Sequence, residues 1–200
     1  MPRERREQLI LDVAGHVFAR AGYEAAPMDE IAERAGVSKP MLYTYFGSKE
    51  GLYLAYIERA GGQLLDRLVR AAPVGDQSVA GMRSRISEFL AFVEEHADGW
   101  RVLFREMAST RPFAERVAEL RARIAEAIRR MIETSPGTRR VYPGTAADAI
   151  AHAIVGAGES LANWWLDHPE LPRETVADWY LQVVRSVLAG TASPPRGRPG

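Results

Sequence analysis

From Glu4 to Ala21 the apolar positions Ile10, Val13, Ala14, Val17, Phe18 and Ala21 recur every three or four residues, the single stripe of an amphipathic helix. Gly22 follows as its C-terminal stop. Pro27 stands where a first helical turn tolerates proline, which opens a short helix over Met28–Ala35 that Gly36-Val37 ends. Ser38 is a good N-cap for a second short helix reaching Phe46. Gly47-Ser48 breaks that one, and Ser48 caps a longer helix from Lys49 to Ala71.

Ala72-Pro73-Val74-Gly75-Asp76 is the next interruption, after which the pattern predicts helices over Ser78–His96 and Gly99–Ser109. Beyond Pro112, Phe113, Val117, Leu120, Ile124, Ile128 and Met131 lie along one helical face. Ser135–Gly144, with two prolines and two glycines, reads as a loop. Two last helices, Thr145–Leu166 and Arg173–Leu188, are separated by His168-Pro169-Glu170-Leu171-Pro172, and the tail from Ser193 to Gly200 reads as a disordered end. No stretch alternates with period two. The fold class is therefore all-α, with about nine helices.

Composition narrows the function classes. At 46% hydrophobic residues the chain has ample material for a core. It has no cysteine, hence no disulfide or thiolate metal site, which suits a reducing compartment. No apolar run approaches the ~20 residues of a membrane span, and the start Met1-Pro2-Arg3-Glu4-Arg5-Arg6-Glu7 lacks the apolar centre of a signal peptide. A cytoplasmic protein is expected. No glycine-rich phosphate loop, nucleophile elbow or paired-carboxylate motif is present. The histidines His16, His96, His152 and His168 are scattered, and Glu94-Glu95-His96 reads as a solvated helix end. The sequence thus calls for no catalytic residue, metal or cofactor, although a helical enzyme stays open as a remote alternative.

The net charge is zero, which disfavours a nucleic-acid binder that relies on a broad basic surface. Any DNA contact must rest on local placement. Of the 26 basic residues only Lys39 and Lys49 are lysines, and both fall around the same short helix. In Ile31-Ala32-Glu33-Arg34-Ala35-Gly36-Val37-Ser38 two short helices meet across a tight turn. Ala32 and Ala35 permit close approach, Gly36 suits a left-handed backbone, and Val37 plugs the angle between the helices. Ile31, Val37, Leu42 and Phe46 can then close on the stripe of the first helix, which leaves Lys39, Pro40, Met41, Tyr43, Thr44 and Tyr45 on the outer face. A helix of this kind enters the major groove with its N-terminal residues at base edges. Tyrosine hydroxyls and a lysine beside it suit flanking phosphate oxygens.

The run Gly22-Tyr23, Ile31-Ala32, Ala35-Gly36-Val37-Ser38 and Leu42-Tyr43-Thr44-Tyr45-Phe46-Gly47-Ser48-Lys49-Glu50-Gly51-Leu52 closely resembles the N-terminal domain of the TetR family of bacterial regulators. The resemblance is specific over about Leu9–Leu54 and extends further only in helix number and length. It implies a helix-turn-helix domain over residues 1–47, a helical ligand-binding and dimerisation body over 48–190, and a tail over 191–200. It also implies that Lys39, Met41, Tyr43 and Thr44, with Ser38 and Pro40 beside them, read bases or adjacent sugars. Tyr45 and Lys49 would hold phosphates. The chain departs from the family where Ala26-Pro27 replaces the Ser or Thr that many members carry before the first helix of the motif.

For the body the resemblance implies a homodimer on a palindromic operator, built by the last two helices. Ala149, Ala153 and Gly156 are small enough for close packing there, and Trp164, Trp165, Trp179, Val183 and Val187 supply apolar area. Phe89, Phe92, Trp100, Leu103, Phe104 and Met107 suit an apolar or aromatic effector, with Glu159 and Asn163 as polar contacts. The same residues equally suit a plain core. The expected function is thus a DNA-binding repressor released by a small hydrophobic ligand, with a protein-binding body that takes no small ligand as the alternative.

Overall fold

The fold is known from a computed structural model, which describes residues 2–73, 76–102, 104 and 113–189, the side chain of Pro136 excepted. The described residues form ten helices and no strand: α1 (Arg3–Ala25), α2 (Met28–Arg34), α3 (Lys39–Phe46), α4 (Lys49–Arg70), α5 (Val79–Glu95), α6 (Ala97–Arg101), α7 (Phe113–Thr134), α8 (Pro136–Val141), α9 (Thr145–Trp165) and α10 (Arg173–Leu188). The all-α expectation holds. Among the described residues no helix is long and apolar enough to cross a membrane, and no group of acidic and histidine side chains is placed to hold a metal ion.

Three boundaries differ from the sequence reading. The Gly22 stop is a kink, with φ 73° and ψ 168°, beyond which α1 resumes to Ala25. The expected Ser135–Gly144 loop contains α8, whose proline sits in the first turn where its missing N–H is harmless. Backbone bonds from Arg139 N–H to Ser135 (3.0 Å) and from Tyr142 N–H to Thr138 (2.8 Å) close its turns. The helix expected over Gly99–Ser109 begins two residues earlier as α6, and most of its remainder, with Leu103 and Met107, lies outside the described residues.

The chain divides into two compact units: Met1–Asp66 with Phe92–Leu120, and Arg67–Ala91 with Arg121–Gly200. In the first unit the stripe of α1 (Ile10, Leu11, Ala14, Val17, Phe18) meets Ile31 of α2, Leu42 of α3 and Leu52, Tyr53 and Ile57 of α4. Aromatic edges lock the centre: the Phe18 and Tyr53 rings lie 4.8 Å apart at 75°, and Tyr53 and Phe113 lie 5.1 Å apart at 88°. Edge-to-face pairs of this kind add to the area they bury.

In the second unit a smaller apolar cluster joins Ala125 and Ile132 of α7 to Ala147 and Ala151 of α9. Tyr180 of α10 crosses to α9, donating its hydroxyl to the Ile154 carbonyl at 2.6 Å. Burial holds that phenol above its ordinary pKa.

Two constraints fix the small helices of the first unit. Gly36 has φ +64°, a conformation costly for any residue with a Cβ. Gly51, in the first turn of α4, leaves no room for a side chain, since a Cβ there would lie 2.1 Å from the Phe46 carbonyl oxygen. Leu42 is the one fully buried side chain of α3. Leu42→Ala should lower stability by ~2–5 kcal/mol and Gly51→Ala by roughly 1–3 kcal/mol. Both are read from denaturant unfolding midpoints of the full chain.

Candidate nucleic-acid interface

The two short helices are joined by a turn in which Val37 N–H donates to Ala32 at 3.0 Å and Gly36 N–H to Glu33 at 3.1 Å. Ser38 then starts α3, its hydroxyl oxygen accepting from Met41 N–H at 3.3 Å. This is the N-cap role expected of it, satisfying one of the donors that a helix start leaves open. Ser48 does the same for α4, accepting from Gly51 N–H at 2.9 Å.

With Leu42 inward, the periodicity of a helix sends its neighbours outward. Lys39, Pro40, Met41, Tyr43 and Thr44 are all exposed, and Tyr45 and Phe46 are half-buried at the flank. Thr44 donates its hydroxyl to the Pro40 carbonyl at 2.9 Å, which leaves its methyl as the group free for an apolar contact. The outer row therefore combines an ammonium, a thioether, a methyl and a phenol within two turns. These are the groups that meet guanine acceptors, thymine methyls and phosphates in a major groove.

Four features at this face escaped the sequence reading. Lys39 Nζ stands 3.0 Å from both carboxylate oxygens of Asp29, on the first turn of α2. The hydrogen bond and charge of Asp29 hold the lysine above its ordinary pKa. Arg3 near the start of α1 places its guanidinium 5.3 Å from the centre of the Tyr45 ring, a cation–π distance. Lys49 turns toward the end of α1, donating to the Glu24 carbonyl at 2.7 Å and lying 5.2 Å from the Tyr23 ring centre. An ammonium has three N–H donors, so that bond is compatible with a phosphate contact. Arg20 and Arg34 converge on Glu30 at 2.6 and 3.2 Å, offsetting one of the acidic charges on α2. Ala26 is buried and Pro27 makes no side-chain cap, so the departure at these positions removes a hydroxyl from this edge.

The predicted pocket residues fall in both compact units. In the first, Phe92 stacks on His96 and Trp100 on Phe104, each pair 4.2 Å between ring centres. In the second, Phe89 lies 6.4 Å from the Tyr180 ring, and Glu159 takes a two-pronged ion pair from Arg121 at 2.7 and 2.5 Å. Asn163 is half-buried, while Leu103 and Met107 are among the residues not described. A groove between the end of α1 and α6, lined by Arg20, Gly22, Asp98 and Arg101 among others, contains none of the predicted lining among the described residues.

Of the predicted dimer residues, Ala149, Ala153 and Gly156 form an exposed row on α9, and Trp164, Trp179 and Val183 are 42%, 43% and 50% exposed. Trp165 turns inward instead, its indole N–H donating to Leu171 at 3.0 Å, and Val187 is half-buried.

These helices define a helix-turn-helix domain. Residues 10–56 match the model described as bacterial regulatory proteins, tetR family, and residues 79–187 match the tetracyclin repressor-like C-terminal domain. The chain belongs to the TetR family of transcriptional regulators. It is 33% identical to the HTH-type transcriptional activator FasR of Mycolicibacterium smegmatis, over 84% of this chain and 75% of that protein. It is 31% identical to the HTH-type transcriptional regulator BetI of Rhizobium meliloti, over 78% of this chain and 75% of that protein. A TetR-like regulator from Rhodococcus sp. RHA1 superposes with TM-score 0.70 at 34% identity, covering 96% of this chain and all of the other. The same fold occurs in FadR of Bacillus subtilis, solved with stearoyl-CoA, with TM-score 0.75, 16% identity and coverage of 92% and 99%.

Lys39→Ala should relax one base preference on the order of ten-fold, whereas Lys49→Ala should weaken all duplexes about equally and flatten the salt slope by about one unit. Titrations of two duplexes across a salt series read both effects, and unchanged affinity in both variants would remove the two assignments.

Proposed function

We propose that the protein is a dimeric repressor that holds a palindromic operator and leaves it when an apolar or aromatic small molecule binds the body. The observation that carries the DNA half is the outward row Lys39, Pro40, Met41, Tyr43 and Thr44 on a helix held inward by Leu42. Residues 1–47 would serve as the reading head and 48–190 as the body, working in the cytoplasm on the chromosome. A domain this small has limited contact area, and two copies reading half-sites about 34–36 Å apart supply the rest.

The exposed tryptophans and Val183, beside the small-residue row of α9, support pairing through α9 and α10. Trp164 and Trp179 lie 6.4 Å apart between ring centres, and clustered exposed apolar side chains mark interaction sites. For the effector, the support is the aromatic side chains of Phe92, Trp100 and Phe104 within the first unit, together with the acyl ligand held by FadR, a protein of the same fold. A ligand can release DNA only through differential affinity for two states. Helix α4, which begins at Lys49 directly after the reading helix, is the element suited to carry that difference.

The activator reading has a specific observation behind it, since FasR, a relative of 33% identity, is an activator. Protection mapping upstream of the protein's own gene separates the two. A palindromic footprint over the promoter supports repression, one placed upstream of it supports activation, and no footprint on any upstream duplex contradicts both. Sedimentation of Val183→Asp and Trp179→Asp should show monomers where the unaltered chain shows dimers, and unchanged dimers in both would remove the α9–α10 interface.

A further inference from the structure

The Asp29–Lys39 pair is difficult to account for as a stabilising contact. Asp29 is 76% and Lys39 47% exposed, and ion pairs this open to water contribute little to stability. Its position is also unfavourable for plain DNA affinity, because a carboxylate beside the reading helix opposes the phosphates. Lys39 itself occupies the first turn of α3, directly after the Ser38 cap, where the positive end of the helix disfavours a cation. Four bonds along the side chain let an unheld lysine reach many orientations, toward bases and phosphates alike. Two carboxylate oxygens at 3.0 Å bias the ammonium toward one orientation and still leave it a donor for a base.

We propose that Asp29 is a positioning residue for sequence discrimination: it holds Lys39 toward one base acceptor and keeps it from pairing with backbone phosphates. This rests on the reading of Lys39 as a base-contacting residue. Specificity is a difference between affinities, and weakening the unwanted contact increases it as surely as strengthening the wanted one. Without Asp29 the lysine becomes a general phosphate ligand, so non-specific affinity rises while the preference at one base falls.

The test is selection from randomised DNA duplexes, followed by titration of the selected duplex and of an unrelated one. It compares the full chain with Asp29→Asn, Lys39→Met and the double variant. Both side chains lie on the surface, and thermal melting of each variant verifies the fold. The unaltered protein should show one base position with a preference on the order of ten-fold that Lys39→Met abolishes and Asp29→Asn reduces to within about two-fold. Asp29→Asn should also bind the unrelated duplex several-fold more tightly, on the order of one added phosphate contact. In the Lys39→Met background Asp29→Asn should leave every base preference unchanged. An undiminished preference in Asp29→Asn overturns the proposal, as does an equal change with and without Lys39, which would mean a bare charge effect. If Lys39→Met alters no preference, the reading of Lys39 itself fails, and the proposal fails with it.

Discussion

The inward anchoring of Leu42 decides which residues of α3 face solvent. Helix α3 is only eight residues long, too short to persist by its own propensity. It exists because Leu42 closes on the stripe of α1 and because Ser38 and Gly47 terminate it cleanly. Once that side chain is fixed, helical geometry dictates which residues look outward. Around this anchor the turn at Gly36 and the bare Cα of Gly51 set how closely α2 and α4 approach. Stability and the proposed recognition therefore share one small region, in which packing on one face presents chemistry on the other.

A chain with no net charge cannot draw DNA by a broad positive field. The proposed contact therefore rests on the local arrangement of charge. Arg20 and Arg34 offset Glu30, Arg3 sits over Tyr45, and both lysines are held by named partners rather than free in solvent. Cations so constrained give less indiscriminate attraction and more dependence on where the phosphates and bases lie, a balance that favours selectivity over raw affinity.

Much of the helix-turn-helix was legible in the sequence because its determinants are local. The three- and four-residue spacing of Ile10, Val13, Val17 and Phe18, the Ser38 and Ser48 caps and the Gly36 turn each act within a few positions. Features that depend on distant partners were not legible. The Arg121–Glu159 pair joins residues 38 apart, and Lys49 reaches back 25 positions to Glu24. No period in the chain encodes either. Helix α8 was hidden for a different reason: its proline and glycine resemble loop composition, yet Pro136 falls in the first turn, and the buried Thr138 hydroxyl anchors the segment to the Ile132 carbonyl at 2.7 Å. Trp165 and Trp164 are adjacent and chemically identical, and only the packed structure assigns one to the interior and the other to the surface.

In the proposed complex α3 presents its outer row to DNA. Backbone amide shifts, followed as a selected duplex is titrated into the full-length protein, test it most directly. The largest changes should fall on Ser38, Lys39, Met41 to Tyr45 and the first turn of α4, with Leu42 protected from solvent throughout. Saturable DNA binding that leaves those amides unmoved while shifting another surface would contradict it.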